Sequence, residues 1–80
     1  MPSTINVHLE LMPDEAEAFA RWLQGRADYT VQQHWGEPRY TRIEDVAKRR
    51  AAILRRFPSQ LAADQTAAQI REQLAAGEAN

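Results

Sequence analysis

Residues 28–42 read "DYTVQQHWGEPRYTR", and the fold of the whole chain turns on how this stretch is read. Tyr29, Val31, Gln33 and Trp35 fall on every second position, the period of a strand with one face on a core. The turn-forming "GEP" at 36–38 breaks the run, and "RYT" at 39–41 resumes it. The pattern predicts a short hairpin, or a strand followed by a loop, over residues 29–42. An irregular aromatic loop is the competing reading.

Toward the N-terminus, "TINVHLEL" (4–11) alternates without a fault. Ile5, Val7, Leu9 and Leu11 share one side and Thr4, Asn6, His8 and Glu10 the other, as in a half-buried strand. A helix is expected next. Pro13 suits its first position, where no amide is needed, and Asp14, Glu15 and Glu17 suit the positive end of its dipole. Ala16, Phe19, Ala20 and Leu23 recur at helical spacing, widened by Trp22, and Gly25 is the expected stop. Phe19, Trp22 and Phe57 are expected in the core.

Toward the C-terminus, "TRIE" (41–44) has the form of a capping box and predicts a helix from about Ile43 to Phe57, ended by Pro58. Ile43, Val46, Ala47, Ile53, Leu54 and Phe57 share one sector of its wheel. Ser59 then reads as the cap of a last helix over 60–80, whose stripe carries only Ile70 and Leu74 as large side chains beside Ala63 and Ala67. Such a helix frays unless it docks on the fold or on a partner. Together the elements predict a single small α+β domain over 1–80: N-terminal strand, helix, short hairpin or aromatic loop, then two helices.

A chain of 80 residues leaves room for one domain, which buries roughly 60–65% of its unfolded surface and needs help to be stable. Without cysteine, neither a disulfide nor a thiolate–zinc site can supply that help; a second copy in a homodimer can. No run approaches the ~18 apolar residues of a membrane span. The start, "MPSTINVHLEL", lacks both the basic region and the continuous apolar stretch of a signal peptide. The expectation is a cytoplasmic protein with no membrane contact.

A formal charge of −1 conceals segregation. Residues 1–38 hold two cations against six anions, and residues 39–56 hold seven cations against two. On the helical wheel, Lys48, Arg49, Arg55 and Arg56 straddle the side opposite the apolar sector, around Ala52. They face a partner in one reading and only solvent in the other. Arg50 falls inside the apolar sector. A buried unpaired guanidinium is prohibitive, so Arg50 must reach water or meet a carboxylate, with Glu10, Asp14, Glu17 or a group on a second chain as candidates.

Little else is chemical. His8 and His34 have no ligand spacing between them or with nearby carboxylates, so no metal is expected. Ser3 and Ser59 lack a nucleophile elbow, and no glycine-rich phosphate loop occurs, so no cofactor is expected. The chain reads as a non-enzyme. Trp35 and Tyr40 flank the turn-prone "GEPR" beside Arg39 and Arg42, an aromatic–arginine mixture typical of binding hot spots; alternatively Trp35 caps the core. The predicted contact surface is Trp35, Arg39, Tyr40, Arg42, Lys48, Arg49, Arg55 and Arg56.

The order strand, P-x-E helix, capped helix resembles ribbon-helix-helix DNA-binding regulators and antitoxins over residues 4–26 and 41–57. In such dimers paired strands insert their polar face into the major groove. The resemblance implies Thr4, Asn6 and His8 as reading residues. Glu10 on that face and some fourteen residues in place of a tight turn depart from the pattern. The preferred reading is a small interaction protein that binds and modulates a protein target, as prokaryotic or phage regulators and inhibitors do. It is preferred because the cations are balanced by an acidic half.

Overall fold

The computed structural model describes residues 3–79. It contains four helices and, among the described residues, no strand: α1 (Pro13–His34), α2 (Pro38–Thr41), α3 (Val46–Leu54) and α4 (Pro58–Ala79). The protein is therefore all-α, with 73% of the described chain helical, and the α+β expectation is overturned at both predicted strand regions.

The first correction concerns residues 29–42. Helix α1 starts at Pro13 as expected, with the Glu15 carboxylate accepting from the Met12 amide at 3.0 Å. It does not stop at Gly25. A mid-helix glycine costs about 1 kcal/mol, but the buried face of Ala16 and Ala20 continues through Ala27 and Val31, and that packing offsets the penalty. Tyr29 and Gln33, which alternation places beside Val31, lie on the opposite, exposed side of the helix. A run this short fits either period, and tertiary burial chose the helical one.

The second correction concerns residues 4–11. A half-buried strand needs a neighbour, and the segment expected to provide one is helical. Residues 3–11 therefore form no helix, strand or turn and make no backbone–backbone hydrogen bond among the described residues. Ile5 is 84% exposed and Val7 77%. Alternation alone does not make a sheet.

Helices α1 and α4, 22 residues each and so about 33 Å long, form an antiparallel hairpin. Pro13 and Ala16 face Ile70 and Leu74 at one end, while Asp28 and Asp64 approach a shared partner nearer the other. The seam is built largely from alanines, with Ala20, Ala27 and Ala67 almost fully buried. Larger side chains gather where α2 and α3 cross the hairpin. Ala27, Val31, Tyr40, Ile53 and Leu54 form the core there, flanked by Trp35, Phe57 and Leu61. The radius of gyration is 14.6 Å, against about 12 Å for a compact domain of this length. The molecule is elongated, and its one substantial core lies near one end.

Local signals also shift. The cap of α3 is Asp45, which accepts from the Lys48 amide at 3.0 Å, in place of Thr41, whose hydroxyl donates to the Pro38 carbonyl at 3.2 Å. Pro58 ends the α3 region and opens α4, so Ser59 lies inside that helix. Of the predicted α3 stripe, Ile53 and Leu54 are buried, Ile43 and Phe57 are half-buried, and Val46 and Ala47 are exposed. Phe19 is half-buried, but Trp22, expected in the core, is 62% exposed.

Candidate partner-binding surface

The seven cations of residues 39–56 sort into three groups according to what holds them. Arg50 is the inward one. Its Nη1 lies 2.7 Å from Asp28 Oδ1 and its Nη2 2.6 Å from Asp64 Oδ1. One guanidinium thus ties α3 to both long helices. Partial burial works against its charge, and the hydrogen bonds to Asp64 and Asp28 outweigh that, holding its pKa above the ordinary arginine value. The inward placement of Arg50 matches the wheel. Its partners differ from Glu10, Asp14 and Glu17, because the continuation of α1 carries Asp28 past α3 and the return of α4 brings Asp64.

The second group is outward but engaged. Arg49 stacks on Trp35 at 4.5 Å and donates from Nε to the Ile43 carbonyl at 2.8 Å, pinning the turn between α2 and α3. Arg56 donates to the Tyr40 hydroxyl at 2.9 Å and covers the Phe57 ring at 5.5 Å. Glu37 is the hub beside it. The Glu37 carboxylate pairs with His34, with Arg39 at 3.7 Å and with Arg56 at 3.9 Å. The His34 hydrogen bond is the main reason its pKa lies below the usual carboxylate range; desolvation opposes it, and the charges of His34, Arg39 and Arg56 reinforce it. Arg56 is held above its ordinary pKa first by its hydrogen bond to Tyr40, with Glu37 contributing.

The third group is free. Arg42, Lys48 and Arg55 are exposed, and their side chains make no hydrogen bond or ion pair within the described chain. Lys48 and Arg55 are seven residues apart, two helical turns or roughly 10 Å along α3. Arg49 and Arg56 repeat the same interval one residue on. Two parallel cationic rows result, one fastened by aromatic rings and oxygen acceptors, the other open to solvent.

The structure thus redistributes the predicted surface. Arg39, Arg42, Lys48 and Arg55 are exposed, Trp35 and Arg49 form a half-buried stacked pair, and Arg56 lies at the rim. Tyr40 is 4% exposed, so its ring belongs to the core and only its hydroxyl serves Arg56. Thr4, Asn6 and His8 are exposed on the extended segment, with His8 3.7 Å from Glu10; the ribbon that would aim them at a groove is not formed. The reading of the residues did not single out Glu37, Asp28 or Asp64. Glu37 sits in a turn motif that signals only a turn, and the two aspartates meet Arg50 across 22 and 14 positions of sequence. No local pattern marks them.

Comparison with family models, with curated proteins and with solved structures finds no match for this chain. No helix of the described residues is long and apolar enough to cross a membrane.

Proposed function

We propose that this chain is a small non-enzymatic interaction protein whose Lys48–Arg55 row, extended by Arg42, docks on an acidic patch of a protein target and modulates it, as prokaryotic or phage regulators and inhibitors do. The observation that carries the reading is the division of the cations. The side chains of Arg49, Arg50 and Arg56 have partners inside the chain, whereas those of Arg42, Lys48 and Arg55 have none among the described residues. Lys48 lies on α3, Arg55 caps its C-terminus and Arg42 caps that of α2; unpaired charges on such a scaffold set association rate and partner choice.

A protein target suits this surface better than nucleic acid. The free row is short, and the exposed Glu44 and Asp45 lie immediately before it. Both would repel a continuous polyphosphate, while a compact carboxylate patch can meet the three cations without approaching those acids.

The test uses the purified chain immobilised against native lysate, with and without nuclease, followed by identification of what is retained. The expected result is a nuclease-resistant protein whose retention falls at least tenfold in the double variant Lys48→Glu/Arg55→Glu, while helical circular dichroism is unchanged. Equal retention by wild type and variant removes this surface, and loss of retention on nuclease treatment assigns the row to nucleic acid instead.

A further inference from the structure

A second exposed surface lies on α1. The face of α1 opposite its seam with α4 carries two exposed aromatic residues, Trp22 and Tyr29, each 62% exposed. They are one heptad apart on the same side of the helix, about 10 Å along it. Small residues alternate with them: Ala18 precedes Trp22 by four positions, and Gly25 falls between the aromatics. A Cβ built at Gly25 meets nothing within 4 Å, so the glycine is not demanded by the packing of the chain itself. Its helical conformation does not demand it either, since no described glycine has positive φ.

The order small, large, small, large at 18, 22, 25 and 29 has spacings of four, three and four. Reversed, it becomes large, small, large, small at the same spacings. Two antiparallel copies of α1 in the register that sets residue 22 opposite residue 25 therefore place each aromatic over a small residue. Trp22 covers Gly25 of the second copy, Tyr29 covers Ala18, and both contacts occur twice. This is knob-into-hole packing with its own symmetry supplied by the sequence. The flanks are cationic: Arg26 of one copy comes level with Arg21 of the other, and Arg21 is paired with Glu17 of its own chain at 3.3 Å.

We propose that the outer face of α1 is a homodimer interface, with a second copy of this chain as its occupant. Area sets the strength. An aromatic side chain carries about 150–250 Å², so Trp22 and Tyr29 at their exposure leave on the order of 250 Å² per copy. With Ala18, Phe19, Gly25 and Arg26 the pair buries roughly 1,000 Å² in total, the lower edge of specific interfaces. The dimer is accordingly reversible and concentration-dependent, and it is formed by folded monomers.

Sedimentation equilibrium of the purified full chain from micromolar to millimolar concentration tests this, with no target present, so that the result is independent of the function proposed above. The apparent mass is expected to rise from 9.1 kDa toward twice that value. Trp22→Ala is expected to weaken association at least tenfold. Gly25→Leu is the sharper variant, because it adds helix propensity and its Cβ meets no atom within 4 Å in the monomer, yet it fills the hole that receives Trp22. It should leave a well-folded protein that stays monomeric. Val7→Asp, on the exposed N-terminal segment, should leave association unchanged. A monomer at every concentration overturns the proposal, as does a dimer that survives Gly25→Leu or is lost with Val7→Asp.

Discussion

The two ends of the α1–α4 hairpin are built from different materials. At the end crossed by α2 and α3, Ile53 and Leu54 are fully buried against Val31 and Tyr40, with Trp35 and Phe57 around them. At the other end the seam is alanine. There Ile70 and Leu74 border an open cleft of about 270 Å³ together with Leu9 and Leu11 of the extended segment. Burial of large side chains and their interdigitation dominate stability, so the crossed end holds the fold while the alanine end mainly extends it. The exposed cations Arg42, Lys48 and Arg55 ride on the crossed end.

The largest expected effect compares the same substitution at the two ends. Leu54→Ala should cost about 2–5 kcal/mol, a large part of the stability of a domain this size. Leu74→Ala should cost under about 1 kcal/mol, since its site is already open to water. Urea denaturation of both variants measures the contrast, and equal losses would show that stability is spread evenly along the hairpin.

Arg50 lies toward the crossed end, where it ties α3 to Asp28 and Asp64. Arg50→Ala leaves Asp28 and Asp64 facing one another without a cation, and the partial exposure of all three places the loss at about 1–3 kcal/mol, between exposed and buried pairs. Arg50→Lys should restore less than half of it, because an ammonium cannot fork between two carboxylates. Full rescue by lysine would reduce the bridge to simple charge.

The smallest effect lies in the pH response of Glu37. A carboxylate whose pKa is depressed on folding contributes stability that is fully present above the unfolded value and lost as pH falls through the folded one. With its pKa lowered chiefly by His34, Glu37 should steepen acid unfolding below about pH 4. Glu37→Gln should flatten that limb of a thermal-denaturation series. An unchanged acid limb would detach the hub from the stability of the crossed end.

Much of the helical half was legible from the residues, but the sheet was misread. Pro13 followed by acids marked the start of α1, and Pro58 marked a boundary, because those signals act on the backbone within one turn. The stop at Gly25 was not real. Residues 29–35 fit both a period of two and a period of 3.6, and local pattern could not choose between them. The inward turn of Arg50 was visible on the wheel, since a cation in an apolar sector must reach water or meet a carboxylate; that it meets Asp28 and Asp64 was not. Trp22 reads as widening the apolar stripe of α1, yet it sits beyond the arc that α4 covers and is exposed.

By itself, the sequence determined where α1 begins and that Pro58 marks a boundary, which face of α3 is cationic, and that Arg50 would have to reach water or meet a carboxylate. Only tertiary structure decided that α1 runs unbroken to His34, that residues 3–11 gain no neighbouring strand, and that Arg49 and Arg56 are engaged while Lys48 and Arg55 are not. The physical reason is range. Capping, proline geometry and helical periodicity act over a few residues, whereas burial of Val31 and Ile53 and the meeting of Asp28, Arg50 and Asp64 depend on segments brought together only when the hairpin closes.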